Sequence, residues 1–493
     1  MNNLNNKHRF LLWSISGLAT LIGDAQPVMA VPCGVEEVLT YVGQNTYNYP
    51  ATGAAKGVYE LLLYPTSYPI RPGATVDNTG AVPTSITNMP TFSSRRFKGP
   101  NGPTAVAGYI SADDYYSWPS LQTAINASKV LPSKKFACTG TLTERLSDIS
   151  GFFAHIGNEV GGSSPTQPPS TTGIAWGMSK YAEDGSWGEC PASTPGKKTL
   201  LVAGIRADGT AVIDPATYNG KAGGQMYMCG YQDPTKPVSF DASNPNQPVY
   251  VLSNDDSTTQ TGSRAPQYGI YYGRGPKQLT YDYNYRWAGN VRDPQSPDDL
   301  ANDPDQLLIN SSIGWETAFA YQVVNYTQAG SSYTKPSMET AQISSLWSAY
   351  KKANPATVPD ARGEWGFGQT INIINGGVEC LSSSNHQTLT RINNYIELMI
   401  RLGADVKQLT VGQADGSVTT LSKGDLEANI YDRNVSYSWG SPKERAWSTG
   451  PMPTSYYTTY PPGPYRLQYT DPDKSNSLID ERLDCVNYQT WNK

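Results

Sequence analysis

Apolar residues recur at intervals of three and four positions in several segments of the chain, the spacing that places them on one face of a helix. In residues 142–157 that face is formed by Leu142, Leu146, Ile149, Phe152, Phe153 and Ile156. In residues 389–402 it is formed by Leu389, Ile392, Ile396, Met399 and Ile400. Gly403 then supplies a helix stop. Residues 313–326 and 339–352 also show helical spacing, so the pattern predicts a mainly α core.

Patterns typical of strands are fewer. Two β-rich runs in residues 199–214 flank the turn sequence ADG at 207–209, which predicts a hairpin. Residues 61–64 form a short strand-like run. Residues 230–267 read as a polar, Pro-rich loop, and the chain is again rich in Tyr and Pro from residue 436 onward. The pattern as a whole predicts a mainly α (α+β) fold with a β-hairpin insertion.

The composition narrows the function classes. Only 16% of the 493 residues are charged, against about 25% in an ordinary soluble protein. The chain contains 46 Gly, 37 Pro and 33 Tyr residues, which is typical of a loop-rich protein with an aromatic surface suited to sugar rings. The formal net charge of −5 argues against a nucleic-acid partner, because no basic excess is present to displace counterions from phosphates.

The first thirty residues have the pattern of a secretory signal. Lys7 and Arg9 precede an apolar run over residues 10–22, which is too short to span a bilayer about 30 Å thick. Val28 and Ala30 then supply small residues at the −3 and −1 positions of a cleavage site. We therefore expect residues 1–30 to be a signal peptide and the mature protein to be secreted or periplasmic; an uncleaved anchor is the alternative.

Cysteine and histidine usage limits the chemistry further. The six cysteines are even in number, and export favours three disulfides, for which sequence leaves 15 connectivities open. No CxxC pair is present, so a structural zinc site is not expected. After signal cleavage only His155 and His386 would remain. Carboxylates are therefore the best candidates for acid–base chemistry.

Two glutamates stand beside glycines and aromatic residues. Glu159 lies in HIGNEVGG, at the end of the predicted helix 142–157, where a carboxyl group can be partly desolvated. Glu183 lies in the loop sequence AWGMSKYAEDG. Taken alone, each is more commonly an ordinary exposed glutamate. Together they are candidates for the pair of carboxylates that glycoside hydrolysis requires.

Two longer motifs carry a resemblance to a known family. Residues 271–285 read YYGRGPKQLTYDYNY and interleave tyrosines with amides, and residues 363–380 read GEWGFGQTINIINGGVEC. The first closely matches the signature of the family 19 glycoside hydrolases, the plant-type class I and II chitinases. The second matches another signature of the same family in the same order. The segments FFAHIGNEVGG and AWGMSKYAE resemble those that carry the family's catalytic acid and base.

The resemblance implies a role for each matching residue. Glu159 would be the general acid, Glu183 the general base, and Thr280 would help to hold the attacking water. Glu379 and Arg391 resemble a salt-bridge network that includes the acid. The positions that match sugar-binding residues are Gln278, Tyr283, Asn284, Asn375 and, more weakly, Lys335. No metal and no organic cofactor is implied.

The chain also departs from the family pattern. Asn158 stands where the family has a His before the acid, and Ser163 stands where a Trp is usual. The segment between Cys190 and Cys229 is much longer than in the plant enzymes. The resemblance pairs Cys380 with Cys485, with Cys190–Cys229 and Cys33–Cys138 as the accompanying pairs. It does not cover residues 31–115.

The resemblance implies a lysozyme-like, two-lobed fold with a cleft. We expect a signal peptide at 1–30, an N-terminal extension at 31–115, and a family 19-like catalytic domain at 116–493 with an insertion at 191–267. The implied function is that of a secreted, monomeric endo-chitinase that inverts the anomeric centre and acts on chitin or a related N-acetylglucosamine polysaccharide, away from membranes. The alternatives are a peptidoglycan-cleaving hydrolase and a catalytically silent glycan-binding or adhesion protein.

Overall fold

A computed structural model describes the helical and sheet-forming parts of the chain. The described residues are 32–63, 115–131, 136–159, 202–205, 211–213, 229–230, 239–241, 244–249, 268–269, 273–280, 282–297, 299–302, 306–327, 334–355, 364–380, 386–412, 416–431 and 464–485. For the strands between residues 202 and 269, and for Tyr283, the structure describes the backbone alone. The predicted signal peptide, Glu183 and Cys190 lie outside the described residues.

Three helices precede the predicted helix 142–157. They are α1 (Val35–Thr46), α2 (Ala54–Leu63) and α3 (Trp118–Ala127). The prediction of a strand at 61–64 was wrong, because Leu61, Leu62 and Leu63 form the last turn of α2. All three leucines are buried. Only Lys56 and Glu60 of α2 are partly exposed, so the polar face of this helix is narrow and its last turn resembles a short buried strand.

The helices that carry the sequence motifs form the centre of the molecule. Helix α4 (Leu142–Glu159) confirms the prediction for 142–157, and α12 (His386–Arg401) confirms the one for 389–402. Between them lie α5 (Asp282–Arg292), α6 (Asp299–Asn302), α7 (Gln306–Ile309), α8 (Ser311–Val323), α9 (Met338–Gln342), α10 (Ser344–Ala353) and α11 (Phe367–Glu379). The predicted helix 339–352 is divided at Ile343, whose backbone is extended. Gly403 has a φ of 85°, the left-handed conformation that ends α12.

Short two-stranded ladders occupy the segment that was expected to be an insertion. Strands β1 (Val202–Ile205) and β2 (Ala211–Ile213) pair antiparallel, as the predicted hairpin requires. The interpretation of residues 230–267 as loop was incomplete, because this segment contains two further strands. The other strands before the C-terminal sheet are β3 (Cys229–Gly230), β4 (Ser239–Asp241), β5 (Asn244–Val249), β6 (Tyr268–Gly269), β7 (Tyr326–Thr327) and β8 (Thr334–Lys335).

The C-terminal part of the chain forms a four-stranded antiparallel sheet that the sequence analysis missed. Its strands are β9 (Asp405–Gly412), β10 (Val418–Ser422), β11 (Tyr465–Asp471) and β12 (Ser477–Arg482), in the order β10-β9-β11-β12. Helix α13 (Lys423–Tyr431) follows β10, and a 3₁₀ turn (Pro472–Lys474) joins β11 to β12.

A bulge explains why strand β9 was hard to predict. The register between β9 and β11 shifts where Gln468 pairs with Gln408 and Tyr469 pairs with Val406. The buried residues of β9 are therefore not spaced by two, and the alternating pattern that predicts a strand is broken. The mainly α class with a small sheet is nevertheless confirmed by the element content.

Helices α1 and α2 share one hydrophobic core with the motif-bearing helices. Val38, Leu39 and Val58 belong to the same buried cluster as Phe152 and Ile396. The disulfide Cys33–Cys138 ties the start of α1 to the segment before α4, and Cys380–Cys485 ties the end of α11 to the chain after β12. Both predicted pairings are confirmed. No described helix is long and apolar enough to cross a bilayer.

A buried carboxylate joins the sheet to the helices. Glu481 in β12 is fully buried; its Oε1 accepts from the Phe367 backbone N–H at 2.8 Å and its Oε2 accepts from the Tyr395 hydroxyl at 2.7 Å. Burial raises the pKa of Glu481 from 4.5 to about 7, although these hydrogen bonds oppose the shift. Phe367 begins α11 and Tyr395 lies on α12, so Glu481 bonds to the helix of the second motif and to the helix that carries Arg391.

This geometry predicts a pH-dependent stability. The folded chain keeps the Glu481 proton up to about pH 7, whereas the unfolded chain releases it near pH 4.5. Stability is therefore greatest below pH 4.5 and falls as the pH rises towards and through 7, by about 3 kcal/mol in total from this group. We expect Glu481→Gln to remove this dependence in urea unfolding measured from pH 4.5 to 7.5. The control Glu364→Gln, at an exposed carboxylate, should retain the wild-type slope, and parallel curves for Glu481→Gln and the wild type would contradict the prediction.

Candidate active site

A buried guanidinium connects the ends of two helices. Arg391 lies inside α12, and its Nε and Nη2 donate to the two oxygens of Glu379, the last residue of α11, at 2.9 and 2.7 Å. Nη2 also donates to Oε1 of Glu159, the last residue of α4. The ion pairs that the resemblance implied are thus present, and residues separated by up to 232 positions in sequence meet at one side chain.

The two carboxylates differ in their access to solvent. The Glu379 side chain is 0% exposed, whereas that of Glu159 is 18% exposed. Burial alone would lower the pKa of Arg391, but Glu159 and Glu379 more than offset this effect and hold its pKa above the ordinary value. Glu379 is therefore the enclosed counter-ion of Arg391, and Glu159 is the member of the cluster that can meet a substrate.

Asn375 belongs to the same cluster. Its Nδ2 donates to Glu379 Oε1 at 3.0 Å, and its backbone breaks the helical conformation inside α11, with φ −149° and ψ 32°. A Cβ at the next residue, Gly376, would lie 2.2 Å from Oδ1 of the buried Asn372, so a side chain there would force Asn372 to move. The Asn375 amide is thus part of the hydrogen bonding of Glu379. Contact of Asn375 with a sugar stays a prediction.

The first motif forms a tight turn that is closed by its own backbone. Arg274 and Leu279 exchange backbone hydrogen bonds at 3.2 and 2.8 Å. Gly275 and Gln278 both have positive φ, at 75° and 49°. The Gln278 side chain donates from Nε2 to the Gly275 carbonyl at 3.0 Å, and the Thr280 hydroxyl donates to the Gln278 carbonyl at 2.8 Å. The turn therefore holds the Gln278 and Thr280 side chains in defined directions.

Lys277 anchors this turn to the core, a role that the sequence analysis missed. Its Nζ donates to Gln322 Oε1 at 2.8 Å and lies 4.7 Å from the centroid of the Phe152 ring. The only sequence signal was the presence of a single lysine inside an otherwise uncharged stretch, GPKQLTY, of the motif. Gln322 in turn donates to Asp148 Oδ1 at 2.6 Å, so the anchor extends from the turn through α8 to α4.

The charges around Lys277 link the turn to the Arg391 cluster. Burial lowers the pKa of Lys277 well below its ordinary value of 10.5; Asp148 opposes this shift, Arg391 adds to it and Glu159 opposes it. The Lys277 ammonium also contacts the Phe152 ring of α4, the helix that ends at Glu159. The first motif is therefore anchored against the helix that carries the candidate acid.

The remaining predicted residues divide into three cases. Asn284 in α5 donates from Nδ2 to the Thr280 carbonyl at 2.7 Å and so joins the turn. Tyr283 lies in the first turn of α5, with only its backbone described, and Glu183 lies outside the described residues. Lys335 is at the end of β8, and burial lowers its pKa to about 8. Among the described residues no group of His, Cys, Asp and Glu side chains could hold a metal ion.

Comparisons with known proteins agree with the two motifs. Residues 237–408 match the family model described as Chitinase class I, of glycoside hydrolase family 19. The chain is 32% identical to Chitinase 3 of Oryza sativa subsp. japonica over 162 residues, which is 33% of this chain and 43% of that one. It is 27% identical to Endochitinase 2 of Gossypium hirsutum over 291 residues, 58% of this chain and 66% of that one. The resemblance to the family 19 chitinases is confirmed.

The matched segments span less than two thirds of the length of these curated relatives. Among solved structures, a bacterial family 19 chitinase is 22% identical with a TM-score of 0.28, and the alignment covers 60% of this chain and 90% of that one. Chitinase C from Streptomyces griseus HUT6037 is 19% identical, with the same TM-score and coverage of 60% and 88%.

Removal of Arg391 should destabilise the folded protein. Arg391→Ala leaves the fully enclosed Glu379 carboxylate without its counter-charge, and we expect a loss of about 3–5 kcal/mol in the free energy of unfolding. The second change Glu379→Gln should recover part of that loss, because it removes the orphaned charge. Lys407→Ala is the control: it removes an exposed ion pair to Asp405 and should cost less than about 1 kcal/mol. Urea unfolding measures all four proteins, and a loss below 1 kcal/mol for Arg391→Ala would refute this account of the cluster.

Proposed function

We propose that this protein is a secreted endo-chitinase that hydrolyses β-1,4 bonds between N-acetylglucosamine units with inversion at the anomeric carbon. One observation carries the proposal. Glu159 is a partly exposed carboxylate at the end of a buried helix, bonded by Arg391, and the turn that carries Gln278 and Thr280 is anchored against the same helix through Lys277 and Phe152. The match of residues 237–408 to the family 19 chitinases supports the same substrate class.

Glu159 acts as the general acid in this proposal. Its Oε1 already accepts a hydrogen bond from Arg391, so the transferred proton belongs on Oε2. The guanidinium fixes the direction of the carboxyl group and stabilises the carboxylate that is left once the proton has moved to the leaving oxygen. Arg391 itself keeps its charge throughout, because Glu159 and Glu379 hold its pKa above the ordinary value despite burial.

The attacking water is held by Thr280 and deprotonated by Glu183. The single hydroxyl hydrogen of Thr280 is donated to the Gln278 carbonyl, so Oγ1 can only accept from the water. Glu183 takes the second hydrogen of that water, and the water's lone pair is then directed at the anomeric carbon. In an inverting enzyme the two carboxyl groups stand about 6.5–9.5 Å apart to leave room for this water.

The amides of the turn set the polarity of the sugar contacts. Gln278 Nε2 and Asn284 Nδ2 each donate one hydrogen within the protein, which orients the amides; each amide can offer its oxygen and its second N–H to the substrate. An amide oxygen pairs with a hydroxyl or with the N–H of an acetamido group. We assign further sugar contacts to Tyr283, Asn375 and Lys335.

Export is supported by the disulfides Cys33–Cys138 and Cys380–Cys485, which are typical of oxidising compartments.

Substitution of the acid tests the proposal directly. Glu159→Gln keeps the size of the side chain and removes its acidic proton, so kcat on chitin hexamer should fall by about 10³-fold or more. The kcat of Glu183→Gln should fall less, because the attacking water and Thr280 remain in the site. Glu427→Gln in α13 is the control and should keep wild-type activity. Release of sugars is measured from chitin hexamer and from purified peptidoglycan. Cleavage of peptidoglycan alone favours the lysozyme-like alternative, and cleavage of neither favours a glycan-binding protein.

The stereochemistry of the product tests the assignment of Glu183 and Thr280. Direct displacement by water inverts the anomeric centre, so the first product of a β-linked oligomer should be the α-anomer. Real-time proton NMR of chitin-hexamer cleavage distinguishes the anomers before they interconvert. An initial β-anomer would indicate a covalent intermediate and would overturn the roles given to both residues.

A further inference from the structure

His155 completes the hydrogen bonding of Arg391. A guanidinium has five N–H donors. Two of them go to Glu379 and one goes to Glu159. The two on Nη1 go to His155: one to its ring Nδ1 at 3.0 Å and one to its backbone carbonyl at 3.4 Å. All five donors of Arg391 therefore have an acceptor, and His155 supplies two of the five.

The contacts of His155 determine its tautomer. Nδ1 faces an N–H of Arg391, so it must present a lone pair. Nε2 lies 2.6 Å from the Thr370 hydroxyl oxygen, and the hydrogen of that hydroxyl is donated to the Phe367 carbonyl at 2.6 Å. Nε2 must therefore carry the proton and donate to Thr370. The imidazole is neutral, with its hydrogen on Nε2.

Packing holds the ring in this orientation. His155 is 0% exposed, and its ring is stacked on that of Phe367, with 4.9 Å between centroids and an interplanar angle of 25°. Phe367 is stacked in turn on Tyr395 at 4.3 Å and 7°. The ring thus has little freedom to rotate away from Arg391.

The charges around His155 disfavour an imidazolium. Burial, Arg391 and Lys277, in that order, lower the pKa of His155 well below its ordinary value of 6.5. Arg391 faces it from α12, Lys277 from the first-motif turn, and the uncharged Thr370 and Phe367 from α11. A protonated ring would also place an N–H against the N–H of Arg391.

We propose that neutral His155 is a positioning residue for the candidate acid. It lies one helical turn before Glu159 on the same face of α4, and it orients the guanidinium so that Nη2 can bridge Glu379 and Glu159. This role rests on the function proposed above. A neutral acceptor adds no second positive charge in contact with Arg391, so that Glu159 can exist in both the protonated and the ionised form that acid catalysis requires.

NMR of the protein labelled with ¹⁵N-histidine tests the tautomer without reference to activity. The chain has only three histidines, and His155→Asn assigns the resonance. We expect a ring protonated at Nε2, unprotonated at Nδ1, and unchanged between pH 5 and 8. The spectrum of Thr370→Ser should be the same, because serine keeps the hydroxyl. Titration near pH 6.5, or a proton on Nδ1, would overturn the proposal.

Two substitutions then separate positioning from packing. In His155→Asn the amide oxygen takes the place of Nδ1 and can accept from Arg391. In His155→Gln the amide takes the place of Nε2, so the contact to Thr370 is kept and the one to Arg391 is lost. We expect kcat on chitin hexamer within about 10-fold of wild type for Asn, and about 10²-fold lower for Gln, with a shift in the alkaline limb of the pH profile, which reports the general acid.

The controls keep three outcomes apart. Unfolding free energies are measured for both variants, since a purely structural role predicts that activity follows stability and that the pH profile does not move. That result, or a Gln variant as active as the Asn variant, would overturn the positioning role. A wild-type protein that is inactive on chitin hexamer would refute the proposed function, whereas the tautomer is tested by the NMR spectrum alone.

Discussion

The charge cluster of this protein depends on one buried guanidinium that must satisfy two carboxylates from different helices. An arginine enclosed by protein is tolerated only when its donors are paired and its charge is balanced. Arg391 meets both conditions through Glu379, Glu159 and His155. The three helices α4, α11 and α12 must therefore end or cross at one place, and this requirement sets where the partly exposed carboxylate of Glu159 stands.

The rest of the fold keeps those helices in position. Helix α11 is fixed at its start by the Phe367 N–H on Glu481 and at its end by the disulfide Cys380–Cys485. The chain after β12 also passes so close to α11 that a Cβ at Gly368 would lie 2.1 Å from the Asp484 carbonyl. The C-terminal sheet thus acts as a support for the helix that carries Asn375 and Glu379. The C-terminal segment, which the sequence analysis describes only as rich in Tyr and Pro, thus contributes strands β11 and β12 to this support.

The turn of the first motif is largely buried, and only Gln278 and Thr280 of its residues 273–280 are partly exposed. Gly275 and Gln278 provide the left-handed backbone, and internal bonds then fix the side chains of Gln278 and Thr280. Lys277 points the opposite way and bonds to Gln322 in the interior. Burial of the Lys277 ammonium is unfavourable by itself. The hydrogen bond to Gln322 and the charge of the nearby Asp148 offset that cost.

The sequence by itself determined the elements whose signal is local. The apolar faces of α4 and α12 predicted both helices, and the resemblance predicted the ion pairs of Arg391 with Glu379 and Glu159, which the structure contains. Tertiary structure decided what depends on distant contacts. The buried helix α2 exposes only the narrow face of Lys56 and Glu60, and the bulge opposite Tyr469 removes the alternation from β9. Neither the tautomer of His155 nor the anchor at Lys277 can be predicted from sequence, because each is set by partners that lie 45 to 236 positions away along the chain.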